Sequence, residues 1–318
     1  MHLLAAPDKF RGTLSAHEAA AAIAAGAAGA GWAAVVLPLA DGGEGTLEVL
    51  GGGNRRTTVA GPLGEPVGAA WRLEDDGTAL IEAALACGLS LAGGPEGNDP
   101  LRATSRGVGE LIAAAVAEGA RRVVVAVGGV ASTDGGAGAR DALPTPLPVP
   151  VDVACDVDGR FLDAADVFAP QKGATPEQVR LLRERLAQLD VPDLPGAGAA
   201  GGLAGGLAAA GARLLPGFDL VAARLGFEER LAEADLVVTG EGRLDATSFT
   251  GKVVGRVVER AAATGVETLV VAGNVAAGSP IAALSLVERY GPERALAQPA
   301  QCLREIVEIA LATRRNAP

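Results

Sequence analysis

Seven carboxylates stand where apolar runs give way to turns: Asp8, Asp41, Glu44, Asp134, Asp156, Glu241 and Asp245. Two of them share the stretch Leu37-Pro38-Leu39-Ala40-Asp41-Gly42-Gly43-Glu44-Gly45-Thr46, which follows the run 35–39. Glycines let a backbone turn tightly and approach a ligand closely. In open α/β sheets, ligands sit just past the carboxyl ends of strands. The pattern returns at Gly128-Gly129-Val130-Ala131-Ser132-Thr133-Asp134-Gly135-Gly136-Ala137-Gly138, which adds two hydroxyls, and at Thr239-Gly240-Glu241-Gly242-Arg243-Leu244-Asp245. Gathering unpaired carboxylates is costly. A divalent oxygen-seeking cation offsets that cost, and Mg²⁺ is the usual one beside phosphate. Lys9, Arg11, Lys172, Arg243 and Lys252 stand at comparable turns. Acids, Mg²⁺, cations and N–H-lined turns are what phosphoryl transfer needs, with one acid to orient or deprotonate the attacking hydroxyl. With only His2 and His17, and no nucleophilic cysteine motif, acyl transfer fits less well. The competing reading of Asp41 is an ordinary helix cap in a strand-to-helix turn.

The elements that must carry these turns can be read in order. Residues 3–6 form a short buried strand. Ser15 and Glu18 make a capping box for an Ala-rich helix that ends near the glycines at 26–31. A second strand, 35–39, leads to a helix from Thr46, so the chain begins β-α-β-α. Runs 57–60, 67–73 and 78–81, separated by Gly61-Pro62-Leu63-Gly64 and Asp75-Asp76-Gly77, read as antiparallel strands. They place a domain boundary near residue 56. Residues 105–118 form an amphipathic helix, and 123–127 a strand covered on both faces. Strand 151–155 ends on Asp156 and Asp158. Lys172 stands just before the helix opened by Thr175-Pro176, and a lysine beside glycine at a helix start suits a phosphate contact. The glycine-dense segment 195–206 is a backbone-lined loop feeding a helix through 207–215. Strands follow at 236–238, 268–272 and 283–287, and a last helix at 303–312.

Composition narrows the function. At 318 residues, 49% apolar and 20% charged, the chain can bury two cores. A net charge of −11 and a pI near 4.8 exclude a basic nucleic-acid or anionic-membrane footprint. An anionic substrate then needs local cations or a metal. Cys87, Cys155 and Cys302 are too far apart for a zinc site or a disulfide framework. The N-terminus lacks the basic region of a signal peptide and no apolar run is long enough to span a bilayer, so the expected compartment is the cytoplasm.

Six motifs, taken in order, resemble the class I bacterial glycerate kinases. The first is Ala6-Pro7-Asp8-Lys9-Phe10-Arg11-Gly12-Thr13-Leu14-Ser15-Ala16, the second is 38–46 and the third 133–138. Phe168-Ala169-Pro170-Gln171-Lys172-Gly173-Ala174 and Pro195-Gly196-Ala197-Gly198-Ala199-Ala200-Gly201-Gly202 follow, and 239–245 is the last. The resemblance implies ATP-dependent phosphorylation of D-glycerate, typically at the 2-hydroxyl. It implies two α/β domains, a flavodoxin-like three-layer domain formed by both chain ends (1–55 and 226–318) and a mixed α/β domain inserted at 56–225, with the active site in the cleft between them. The chain departs from the family at several points. Arg11 replaces a usual Lys, Val130 and Thr133 replace Ser and Asn, and an Asn-Pro-Leu stretch after Asp156 is missing. The segment between Gly138 and Val151 is short.

Residue chemistry then distributes the roles. Asp41 and Asp134 stand near glycerate and the reacting hydroxyl, one of them as base, with Lys9 and Arg11 completing the catalytic set. Gly42, Gly43, Glu44, Gly135, Gly136, Lys172, Gly240, Gly242 and Lys252 bind the nucleotide. Glu44, Glu241 and Asp245 hold Mg²⁺. No nucleic-acid, membrane or protein partner beyond a monomer or homodimer is expected. The alternatives are a kinase of the same fold acting on another small hydroxy acid, a non-catalytic ligand-binding relative and, more remotely, a phosphatase-like hydrolase.

Overall fold

A computed structural model describes residues 1–144, 146–156 and 159–315. Asp158 lies outside them. The chain enters on β1 (His2–Ala5) and β2 (Ala33–Val36). It then builds β3 (Arg55–Ala60), β4 (Pro66–Leu73), β5 (Thr78–Glu82), β6 (Arg122–Ala126), β7 (Val151–Cys155) and β8 (Arg213–Pro216). It returns with β9 (Leu236–Leu244), β10 (Glu267–Val275) and β11 (Leu284–Ser285).

Contacts divide the chain into two α/β units: Met1–Ala40 with the chain from Val221 onward, and Asp41–Leu220. The division falls earlier than the expected boundary near residue 56. The reason is that the glycines after Asp41 lie against the backbone of the inserted unit: a Cβ on Gly42 would meet the Ala154 carbonyl at 3.0 Å.

In the first unit the strand order is β2-β1-β9-β10-β11, all parallel. Numbered within the unit this is 2-1-3-4-5, the flavodoxin-like doubly wound order. The helix Ala16–Gly29 starts on the expected Ser15–Glu18 capping box. Ile23 on that helix joins Leu3, Leu236, Leu303 and Val307 in the core. A Cβ on Gly26 would clash with the Arg304 carbonyl oxygen, so small residues let this helix lie close against Pro299–Arg315. Two strands differ from expectation. β2 stops at Val36, before Pro38, which has no N–H to give; Leu37 and Leu39 still donate to the Ala5 and Pro7 carbonyls at 2.8 and 2.9 Å. β9 continues to Leu244, so Gly240-Glu241-Gly242 lies within a strand, paired with Val271 and Ala272 of β10.

The second unit carries the order β3-β4-β5-β6-β7-β8. The expected hairpins pair β3, β4 and β5 antiparallel, and β5 to β8 run parallel. Trp71, Leu111, Ile112, Val123 and Val125 fill its core. β8 is a strand where the sequence reading had a helix through 215. The helix Leu203–Ala209 ends ahead of Gly211, whose φ of +105° breaks it. No described helix is long and apolar enough to cross a membrane.

Candidate active site

In the second unit, four carboxyl strand ends meet one incoming segment. Asp41–Gly45 crosses the ends of β6, β7 and β8. Gly128, two residues past β6, donates its N–H to the Gly42 carbonyl at 3.3 Å, and a Cβ there would stand 2.5 Å from the Gly43 Cα. At the end of β8, a Cβ on Gly217 would clash with the Asp41 carbonyl oxygen. Backbone thus packs on backbone, and glycine is required by close approach. Segment 41–45 and Gly128, which follows Gly45 by 83 residues, come together at one sheet end.

The β5 end supplies a carboxylate that sequence reasoning missed. Glu82, 5% exposed, accepts from the N–H of Gly45 at 3.1 Å and of Leu47 at 2.9 Å. It therefore serves the start of the helix Thr46–Val49, whose own cap residue Gly45 has no side chain. This answers the competing reading of Asp41. Its Oδ1 accepts from the Gly43 N–H at 3.1 Å, an Asx turn, and the helix cap is Glu82. Asp41 is half-buried. An acid closing the apolar run Ala79-Leu80-Ile81 was the available signal for Glu82.

Asp134 is used differently. Its Oδ2 accepts from Ser105 N at 2.8 Å, Ser105 Oγ at 2.8 Å and Gly138 N at 3.2 Å; its Oδ1 accepts from Gly136 N at 3.1 Å. Both oxygens thereby tie the starts of the helices Arg106–Ala117 and Ala137–Asp141 into one turn. Gly135 and Gly136 take φ of +65° and +74° in that turn. Lys172 is buried beneath it, and its Nζ donates to the Ser132 carbonyl at 2.6 Å. Burial lowers the Lys172 ammonium to about 8, with Cys87 and Asp134 pushing the other way.

In the first unit, Asp8–Gly12 lies over β9. Asp8 N donates to the Gly240 carbonyl at 2.9 Å, and a Cβ on Gly242 would come 2.8 Å from Arg11 N. Lys9 and Arg11 are thereby set beside Gly240-Glu241-Gly242. Asp245 caps the turn Ala246–Phe249, its Oδ1 accepting from Thr247 N at 2.9 Å and Thr247 Oγ1 at 2.6 Å. Those Thr247 bonds, more than the nearby Lys252 and Arg243, hold its carboxyl below the usual range. Lys252 precedes the helix Val253–Thr264 as its cap residue. Among the described residues no three His, Cys, Asp or Glu side chains group to hold a metal. Single carboxylates suit an ion that arrives on nucleotide phosphates.

Two α/β units, each with acid-and-glycine segments at the carboxyl ends of parallel strands, define the class. The family comparison is specific: the glycerate kinase family profile matches residues 3–148 and 144–313. The glycerate 2-kinase of Escherichia coli K12 is 39% identical, over 80% of each chain. The glycerate kinase of Bacillus subtilis 168 is 38% identical, over 88% of this chain and 86% of its own. A crystal structure of a Salmonella typhimurium LT2 protein, assigned as glycerate kinase 2, superposes with a TM-score of 0.82 at 34% identity over 99% and 98% of the two chains. The chain belongs to the glycerate kinase family.

Proposed function

We propose that this chain transfers the γ-phosphoryl group of ATP, with Mg²⁺, to the 2-hydroxyl of D-glycerate, giving 2-phosphoglycerate and ADP, in the cytoplasm. Family membership supports the reaction class, and the relative named glycerate 2-kinase supports the regiochemistry. The observation that carries the site reading is the crossing of 41–45 over the ends of β6, β7 and β8, with helix capping left to Glu82. Asp41 is then the acid that orients or deprotonates the attacking hydroxyl, because its carboxylate bonds one backbone N–H and the residue is only half-buried. Asp134 organises the neighbouring turn. Lys9 and Arg11 meet anionic oxygens, Gly42, Gly43, Gly135, Gly136, Gly240 and Gly242 let backbone approach phosphate, and Lys252 adds charge at a helix start. Glu44, Glu241 and Asp245 are the carboxylates available to the metal, which when bound neutralises phosphate charge.

The test is an assay of the purified enzyme with ATP, Mg²⁺ and D-glycerate, with product resolved as 2- or 3-phosphoglycerate. ADP and 2-phosphoglycerate are expected. No ADP formation refutes the activity; a 3-phosphoglycerate product refutes the regiochemistry. Turnover confined to other hydroxy acids would favour the second reading, for which the short segment between Gly138 and Val151 and the missing stretch after Asp156 are the motive.

A further inference from the structure

A lysine ammonium loses its hydration on burial and is seldom buried without specific partners. Lys172 is 4% exposed, and its Nζ is committed to the Ser132 carbonyl at 2.6 Å. Gly201 closes over this bond: a Cβ there would stand 2.8 Å from Nζ and would clash with the Ser132 oxygen. The Gly201 carbonyl in turn accepts from Gly135 N at 3.0 Å. From a third side, Asn98 Nδ2 donates to the Lys172 carbonyl at 2.9 Å and the Ala131 carbonyl at 3.3 Å. Three segments distant in sequence therefore grip residues 131–135, the turn that carries Asp134. The titratable groups facing the ammonium are Cys87, at the end of the helix Ala84–Cys87, and Asp134 itself. A charge so enclosed offers nothing for a phosphate to touch.

We propose that Lys172 is a positioning residue, whose buried ammonium clamps the Ser132 carbonyl and so sets the Asp134 turn without touching nucleotide or substrate. The inference rests on the kinase reading for the site it serves, but the clamp itself can be read without turnover. Lys172→Met keeps the length and removes the charge. We expect kcat to fall about tenfold or more while KM for ATP and for D-glycerate stays within about twofold. The thermal midpoint should change little, because removing a desolvated charge offsets the loss of the donor to the Ser132 carbonyl. Since the ammonium titrates at about 8, wild-type kcat should fall along an alkaline limb near that pH, and the limb should be absent from the variant. A tenfold rise in KM for ATP with kcat retained, on the order of one phosphate contact, would overturn the proposal. So would a thermal midpoint that drops together with kcat, which is a purely structural role.

If Lys172→Met does not fold, or if no turnover is found at all, wild-type backbone amide exchange decides. After correction for intrinsic rates, protection of residues 131–138 should fall about threefold or more from neutral to about pH 9.5, with β6 unchanged. Unchanged protection of that turn overturns the clamp, whatever the enzyme's substrate.

Discussion

The two ends of the second unit's sheet use carboxylates in opposite ways. At the amino ends, Asp152 of β7 is 1% exposed between two arginines of the adjoining strands. Its Oδ2 accepts from Arg122 Nε at 2.8 Å and lies 2.6 Å from Nη2; its Oδ1 accepts from Arg213 Nε at 2.8 Å and lies 2.7 Å from Nη2. Each arginine presents its planar fork to one oxygen, and the carboxylate is matched side chain to side chain. At the carboxyl ends, Asp41 and Asp134 bond backbone N–H groups in glycine turns. The buried hydroxyls of Ser132 and Thr133 have no hydrogen-bond partner among the described residues. One end is finished by pairing within the protein. The other holds polar groups in place by backbone, which leaves charge available to something else.

The sharpest break of this contrast is Asp41→Asn. Asparagine Oδ1 can still accept from Gly43 N, so the turn should stand and the thermal midpoint hold. Turnover should fall about a thousandfold, the range for a lost proton acceptor. If folding collapses instead, Asp41 belongs with Asp152 as a structural acid. The mirror experiment is Asp152→Asn, which leaves two guanidinium groups facing a neutral amide. Because both arginines are partly solvated, the cost should be about 2 kcal/mol rather than the full penalty of a buried charge. Urea denaturation should register it, with kcat per folded molecule unchanged.

How much of this was legible follows the range of the forces. The capping box at Ser15–Glu18 is local and was plain in the sequence, as were the helix opened by Thr175-Pro176 and the apolar run of β6. The hairpins β3 to β5 were marked by their turn residues. β8 was hidden because Ala- and Leu-rich sequence supports helix or buried strand equally, and pairing with β7 decides it. Glu82 and Ser105 act on segments far along the chain, so spacing could not expose them. Lys172 carried the right charge in the right motif, yet only the packing of Gly201 and Asn98 shows that it points inward.

Lys172 also separates the two ends by pH. Its value is lowered from 10.5 to about 8, so between these the unfolded chain binds the extra proton. Stability contributed by this group therefore rises with pH across that window, and its burial is least favourable below about 8. Relative to Lys172→Met, wild-type unfolding free energy should gain about 1 kcal/mol between roughly pH 8.5 and 9.5. Activity should decline over the same interval. A parallel rise of both would place the lysine's effect on the fold alone. Glu82→Gln tests the missed cap more gently: one neutral oxygen replaces a carboxylate at the N–H groups of Gly45 and Leu47, which should cost about 1 kcal/mol.

The smallest expected effect tests whether strain at the carboxyl end is tolerated or used. Ala200 has φ of +56°, the only non-glycine residue in the left-handed region among those described, and it stands directly before Gly201. An alanine there costs roughly 1 kcal/mol, and glycine would relieve it at the expense of a more disordered unfolded chain. The net gain for Ala200→Gly should be about 0.5 kcal/mol, a rise of about 1–2 °C in thermal midpoint. If that gain comes with unchanged kcat, the strain is incidental to the Gly201–Ser132 contact. If kcat falls while stability rises, the rigidity of alanine helps hold the loop that covers Lys172, and the carboxyl end is stiffened at a cost that the amino end, finished by its arginine pairs, does not bear.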